Sequence, residues 1–100
     1  MNWTWTWTGR FFGYWDGDDL WTHHGKHVGR RQGVEIYGPN GRYIGETLGS
    51  RRLAVNKAKA AHLGTAFVPQ APRQKQQVQA DLDSFPLYKG FEDFRLPEHF

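Results

Sequence analysis

Three histidines and three aspartates are the side chains of this sequence most able to hold a metal ion. They are His23, His24 and His27 and, a few residues earlier, Asp16, Asp18 and Asp19. Imidazole and carboxylate groups together bind divalent cations, which makes a metal-dependent hydrolase one functional hypothesis, ranked third. The histidines, however, surround a predicted turn that places neighbouring side chains on opposite arms, and the aspartates lack the longer pattern of an EF-hand loop. We therefore predict no metal site and keep the three histidines as weak candidates.

The sequence contains no clear motif for nucleophilic catalysis or for phosphate binding by a glycine-rich loop. The chain has no cysteine, which excludes thiolate nucleophiles and thiolate zinc sites. Its two serines, Ser50 and Ser84, lack the context of a nucleophile elbow. The glycine-rich first half lacks the Gly-Lys-Ser/Thr ending of a phosphate loop. We predict a protein that is not an enzyme and needs no cofactor.

Aromatic and arginine side chains form a second group of candidate functional residues. Sixteen of the 100 residues are aromatic, and five are Trp. Rings interleaved with guanidinium groups can stack on bases and neutralise phosphates of single-stranded nucleic acid. The predicted binding residues are Trp5, Trp21, Tyr37, Arg30, Arg31, Arg51 and Arg52. The alternative is that the rings build a core or a subunit interface, while the arginines solubilise exposed strand edges.

Charge is distributed unevenly, although the net charge is only +3. Residues 51–75 carry six bases and no acid, whereas residues 76–100 carry five acids and two bases. One interpretation is that the acidic tail folds back on the basic centre, within the chain or across a dimer. The other is that the block 51–75 binds nucleic acid or another polyanion.

A repeat of sixteen residues predicts the elements that position these side chains. Three glycine triplets have an internal spacing of four, and corresponding glycines lie sixteen residues apart: Gly9, Gly13 and Gly17; Gly25, Gly29 and Gly33; Gly41, Gly45 and Gly49. In every copy the residue after the first glycine is basic, and the residue four before it is aromatic. Several stacked copies can bury a face that one copy alone cannot.

Each copy has the turn chemistry of a β-hairpin. Pro39 presets φ for the first turn position, and Gly41 fits the left-handed residue that follows in a three-residue loop. We therefore predict a positive φ at Gly25 and Gly41. We assign structural turn roles to the first- and second-column glycines, Gly9, Gly25, Gly41, Gly13, Gly29 and Gly45. A fourth copy should begin near residue 50, but it is degenerate because no glycine occupies its columns.

The predicted fold class is all-β, with quasi-repeated antiparallel hairpins of sixteen-residue period and an irregular C-terminal extension. We place the hairpin domain at residues 1–66. A flexible linker rich in Pro, Gln and charge follows at 67–84, and an aromatic latch at 85–100 packs on the same domain or on a partner subunit. No apolar run approaches the ~18 residues of a membrane-spanning helix. The first residues show no signal-peptide features, so we predict a cytoplasmic protein that does not enter membranes.

The hairpin copies and the late aromatic motif resemble the bacterial four-fold β-flower domain proteins. The resemblance is carried by LWTHHGKHVG at 20–29, IYGPNGRYIG at 36–45 and YKGFEDF at 88–94. It implies hairpins arranged around a pseudo-symmetric axis, and the sequence itself contains three clear copies and a degenerate fourth. It implies no biochemical activity.

The leading functional hypothesis is a small non-enzymatic binding or assembly module whose partner is another protein, including a second copy of itself. Seven aromatic residues are more than we expect a small hairpin array to cover: Trp3, Trp5, Trp7, Phe85, Tyr88, Phe91 and Phe94. Large exposed apolar patches are rare on soluble monomers, so we predict a homodimer or another homo-oligomer. Binding of nucleic acid or another polyanion through residues 51–75 is the alternative.

Overall fold

Eight short strands and two single-turn 3₁₀ helices form the chain, which has no α-helix in the part described. The structure is a computed structural model that describes residues 1–49 and 51–100. The strands are β1 Asn2–Thr6, β2 Phe11–Asp16, β3 Asp19–Thr22, β4 His27–Gln32, β5 Glu35–Tyr37, β6 Tyr43–Thr47, β7 Arg52–Asn56 and β8 Phe91–Asp93. The 3₁₀ helices are Lys57–Lys59 and Pro97–His99.

The first seven strands close into a barrel. Each of them pairs antiparallel with the next, and β1 also pairs in parallel with β7, where Trp5 lies opposite Arg52 and Thr6 opposite Leu53. The remaining strand, β8, pairs antiparallel with β7 from Ala54 to Asn56. The all-β fold class predicted from the sequence is therefore confirmed. Closure matters because it pairs the β1 edge that an open sheet would leave available for aggregation.

Three of the connections are hairpin turns that close in the same way. In each, the amide of the first-column glycine donates a hydrogen bond to a carbonyl three residues earlier, at 2.9–3.0 Å. Those glycines have positive φ, 95° at Gly9, 92° at Gly25 and 80° at Gly41, which confirms the prediction for Gly25 and Gly41. Each turn also carries a register shift at the end of its first strand, as expected when a left-handed glycine forms a bulge.

The degenerate fourth copy has no local hairpin partner. β7 ends at Asn56, whose side chain accepts a hydrogen bond from the Ala58 amide at 3.1 Å and caps the first 3₁₀ helix. The strand that pairs with β7 arrives only at Phe91, near the end of the chain. Sequence inspection could not place it, because the two strands are separated by more than thirty residues.

The barrel core is small and apolar. It consists of Phe12, Leu20, Val28, Ile36, Leu53 and Phe94, each at most 4% exposed. The ring of Phe94 packs edge-on against that of Phe12, with the centroids 5.2 Å apart. A Cβ added at Gly45 would lie 2.5 Å from the Phe94 ring, so this second-column glycine makes room for an aromatic residue from the end of the chain.

The segment between the barrel and β8 runs across the three hairpin turns. We call residues 64–88 the strap. Its backbone amides donate to the carbonyls of the three turn glycines at intervals of nine residues: Gly64 to Gly41 at 2.7 Å, Arg73 to Gly25 at 2.8 Å and Leu82 to Gly9 at 2.9 Å. The strap contains residues 67–84, predicted as a flexible linker. Flexibility stays a prediction, but the structure gives this stretch specific anchor points.

Candidate functional site

A groove of about 700 Å³ opens between the second hairpin, β3–β4, and the third, β5–β6. The strap and the C-terminal residues complete its walls. We call it the basic groove and define it by the cations Lys26, Arg42 and Arg95 and the apolar residues Val28, Pro39, Ile44, Pro69, Pro72 and Phe100. Its volume lies within the ~300–1,000 Å³ of typical ligand sites.

The sequence repeat positions two of the three cations. Lys26 and Arg42 each follow the turn glycine of a hairpin and are sixteen residues apart. The third, Arg95, follows Phe94, which is anchored in the barrel core. Its guanidinium carbon lies 3.9 Å from the centroid of the Phe100 ring, and this stacking holds the charge at the groove wall.

The electrostatics of the basic groove favour an anion. None of its lining residues is Asp or Glu. Within the described residues, no carboxylate lies within 4.0 Å of Lys26, Arg42 or Arg95. The corresponding base of the first hairpin, Arg10, instead pairs with Asp81 at 3.7 Å. The three groove charges are therefore available to a ligand.

His27 fixes the strap as one wall of the basic groove. Its Nδ1 accepts the Gln70 amide proton at 3.0 Å, so Nε2 carries the ring proton and donates to Asp19 Oδ1, also at 3.0 Å. The Gln70 side chain donates to the other oxygen of Asp19 at 3.1 Å. The imidazole has no exposed side-chain surface, and both of its ring nitrogens are occupied.

The other two candidate histidines do not join His27. The rings of His23 and His24 lie against each other, with centroids 4.1 Å apart. Burial, together with the neighbouring His24, lowers the pKa of His23. Across residues 1–49 and 51–100, no group of three or more His, Asp or Glu side chains is arranged to hold a metal ion.

The predicted aromatic binding residues lie under the strap. Trp5, Trp21 and Tyr37 are at most 5% exposed. Trp5 Nε1 donates to the Ala80 carbonyl at 2.9 Å, and the guanidinium carbon of Arg73 lies 3.8 Å from the Trp21 ring centroid. Gly64 contacts the Tyr37 ring so closely that an added Cβ would lie 2.6 Å from it. In this structure their partners are residues of the same chain.

Each of the four predicted arginines lies near an aromatic ring, and Arg31 and Arg51 line the same end of the barrel. The guanidinium-to-centroid distances are 4.7 Å for Arg30 on Phe67, 5.0 Å for Arg31 on Trp15, 5.3 Å for Arg51 on Trp5 and 4.2 Å for Arg52 on Phe85. Arg52 also donates to the carbonyls of Trp7 and Asp83, at 2.8 and 2.7 Å. Their role in ligand binding stays a prediction.

Half of the basic block 51–75 is already engaged within the chain. Lys59 pairs with Glu35 and Glu46, Arg73 pairs with Asp16 at 2.9 Å, and Arg52 binds two carbonyls. The carboxylates that pair with this block come from the first half of the sequence and not from the acidic tail. The block is therefore not a single open patch for a polyanion.

The structure contains a polar cluster at the third hairpin that the sequence pattern does not predict. Lys59 Nζ lies 3.0 Å from a carboxylate oxygen of both Glu35 and Glu46. The Tyr43 hydroxyl donates to Glu46 at 2.9 Å, and the Tyr37 hydroxyl donates to Glu35. The hydrogen bond from Tyr37 and the contact with Lys59 lower the pKa of Glu35, and the two carboxylates raise the pKa of Lys59. The lysine lies between the two acids and offsets part of their charge, and His62 Nδ1 also lies 3.4 Å from Glu35.

Comparison with known proteins identified no related protein or structure. A scan against protein-family models found no match, and neither did searches of curated proteins and of solved structures. In the part of the chain that the structure describes, no helix has the length and apolar character needed to cross a membrane.

Proposed function

We propose that this chain is a non-enzymatic binding module and that its basic groove takes an acidic, apolar segment of a partner protein. The observation that carries the proposal is the groove composition: three cations with no carboxylate partner among the described residues surround aliphatic, proline and aromatic side chains. Apolar side chains of a partner would be buried against the floor, and its carboxylates would pair with the rim. The first contribution gives affinity, and the second gives orientation and specificity.

The groove lining favours binding over catalysis. It offers cations, amides, the Tyr43 phenol and backbone groups but no Asp or Glu side chain that could act as a base. Its one histidine, His27, uses both ring nitrogens to hold the strap to Asp19. General acid–base catalysis relies chiefly on His, Asp or Glu side chains that are free to exchange a proton with the substrate, so we assign the groove no catalytic role.

A charge-reversed variant tests the groove. We expect a fluorescent acidic peptide, acetyl-Glu-Phe-Glu-Leu-Glu, to bind saturably in an anisotropy titration of the full chain. Lys26→Glu with Arg42→Glu should weaken binding at least about tenfold, equivalent to roughly 1.4 kcal/mol. Both residues line the groove and carry no other ion pair within the described residues.

The matched control is Lys57→Glu with Lys75→Glu, which changes the net charge equally at two exposed positions outside the groove. This control should retain most of the affinity, because exposed charges farther away than a Debye length are largely screened. Equal losses in both variants would mean that net charge alone attracts the peptide. Absence of saturable binding to the unmodified chain would refute the groove as its site.

Self-association is also part of the proposal, on a smaller surface than the sequence indicates. Trp5, Trp7 and Phe94 are buried within one chain, so they no longer argue for a partner. Phe85 and Tyr88 are 47% and 58% exposed beside Trp7, and they are the residues that a homodimer would cover. Light scattering at high protein concentration should give a mass above 11.6 kDa, and Phe85→Ser with Tyr88→Ser should restore the monomer. A monomeric unmodified chain would remove this part of the proposal.

We also propose that the three hairpins and the β7–β8 pair are quasi-repeats around a pseudo-symmetric axis, as in the four-fold β-flower family that the sequence resembles, and that the protein is cytoplasmic. The equivalent positive-φ glycines and equivalent turn hydrogen bonds support the repeat among the three hairpins.

A further inference from the structure

A second groove lies at the end of the barrel where the β2–β3 and β6–β7 connections meet. It has a volume of about 530 Å³, and Gly17 and Gly49 of these two connections line it. Its distinctive members are three indoles and two guanidinium groups: Trp3, Trp5, Trp15, Arg31 and Arg51. We call it the aromatic groove. It shares no lining residue with the basic groove.

Three of the predicted binding residues, Trp5, Arg31 and Arg51, meet in the aromatic groove. The guanidinium carbon of Arg31 lies over the Trp15 ring, 5.0 Å from its centroid, and that of Arg51 lies over the Trp5 ring at 5.3 Å. A guanidinium placed over an indole is attracted to the ring and still has N–H donors that an anion can use. Two guanidinium groups, each over an indole ring, therefore present N–H donors at the groove wall.

These donors have weak competition from the chain itself. No lining residue of the aromatic groove is Asp or Glu. Among the residues described, Arg51 has no carboxylate within 4.0 Å, and Arg31 has Asp18 alone, at 3.5 Å. The Asp18 side chain is 71% exposed, and exposed ion pairs of this kind are weak because water and salt screen them. An entering phosphate can replace that contact.

We propose that the aromatic groove binds a nucleotide, with the phosphate on Arg31 and Arg51 and the base against the half-buried indoles of Trp3 and Trp15. Stacking on an aromatic side chain stabilises a bound base whatever its identity, because every base has a π-face. Arginine presents its N–H donors in a geometry that matches phosphate oxygens. A simple anion would use the arginines alone, whereas a nucleotide uses both features of the groove. This inference goes beyond the proposed function, since the groove and the ligand are both different.

Tryptophan fluorescence provides a readout that is specific to this groove. Three of the five tryptophans line it, and none lines the basic groove. The full chain is titrated with adenosine monophosphate and, separately, with a short thymidine oligonucleotide, and quenching is recorded. Saturation by the mononucleotide identifies a free nucleotide as the ligand. Saturation by the oligonucleotide alone identifies a nucleotide within a single strand.

Arginine variants, and ligands that contain only part of the nucleotide, test whether both the arginines and the indoles take part in binding. Arg51→Ala should weaken nucleotide binding at least about tenfold without affecting the acidic peptide, and Arg42→Ala should do the reverse. Adenosine and inorganic phosphate should each bind much more weakly than the mononucleotide. Three results would overturn the proposal: no saturable quenching by either nucleotide probe, equal effects of Arg51→Ala and Arg42→Ala, or inorganic phosphate binding as tightly as the mononucleotide. Circular dichroism and melting curves confirm that the variants are folded.

Discussion

Replacing Gly25 with alanine is expected to destabilise the protein by about 3 kcal/mol, combining left-handed backbone strain of roughly 1–2 kcal/mol with the loss of a strap anchor. Gly25 has φ of 92°, and a Cβ there would lie 2.0 Å from the Arg73 carbonyl oxygen. The strap must move away to accommodate it. That movement breaks the Arg73 amide hydrogen bond and disturbs the contacts of the Arg73 side chain with Trp21 and Asp16. Urea unfolding followed by tryptophan fluorescence measures the change.

Gly33→Ala separates the two contributions. Gly33 also has a positive φ, 62°, but no neighbouring atom lies within 4 Å of the position that a Cβ would occupy there. It should therefore show the backbone strain alone, about 1 kcal/mol. A similar cost at both positions would show that the strap does not rest on the Gly25 turn in solution.

Replacing Lys59 with methionine is expected to cost about 2 kcal/mol, below the ~3–5 kcal/mol of a fully buried pair because the lysine is partly exposed. Its side chain is 24% exposed, whereas that of Glu46 is only 8% exposed. Without Lys59, two neighbouring carboxylates face each other, and one of them is buried. Chemical denaturation near neutral pH measures the loss.

Lys57→Met is the matched control, since Lys57 belongs to the same 3₁₀ helix, is exposed and has no carboxylate within 4.0 Å in the described chain. Adding Glu46→Gln to Lys59→Met should recover part of the stability, because it removes the uncompensated buried charge. Equal stability of Lys59→Met and Lys57→Met would mean that the cluster contributes nothing.

Because of this cluster, we also expect the free energy of unfolding to depend on pH. The pKa of Glu35 is lowered in the folded state, by the Tyr37 hydrogen bond first and Lys59 second. A carboxyl of this kind stabilises the fold above its unfolded pKa, and the stabilisation is lost as the pH falls through its folded pKa. The unmodified chain should lose more stability on acidification than Lys59→Met.

The hairpins could be predicted from the sequence because their geometry is local. Pro39 and Gly41 determine a turn within four residues, and the spacing of sixteen transfers that turn to Gly25 and Gly9. Closure of the barrel could not be predicted in the same way. It depends on the pairing of β1 with β7 across the whole domain.

The strap could not be recognised because its contacts use the backbone. Its three anchor amides belong to Gly64, Arg73 and Leu82, which share no side-chain chemistry. A nine-residue period of this kind leaves no pattern in hydrophobicity or charge. Composition therefore predicts a flexible linker, whereas the carbonyls of the turn glycines hold the strap at regular intervals.

The candidate site was only partly visible in the sequence. The sixteen-residue repeat identifies the bases after the turn glycines, and two of them, Lys26 and Arg42, line the basic groove. Which of the three bases is paired cannot be predicted, because the partner of Arg10 is Asp81, a residue far away in the sequence. Arg95 joins them from the far end of the chain, and nothing in its local sequence indicates that position.

The most direct test of the proposed binding role maps the acidic peptide onto the structure by two-dimensional NMR of the isotopically labelled chain. We expect the amide signals of Lys26, Arg42, Gln70 and Arg95 to shift in a saturable manner, while those of Gly33 and Lys75, outside the groove, stay in place. The assignment of the basic groove as the binding site would be contradicted by shifts confined to the end of the strap around Phe85 and Tyr88. It would also be contradicted by shifts spread evenly over the exposed lysines and arginines.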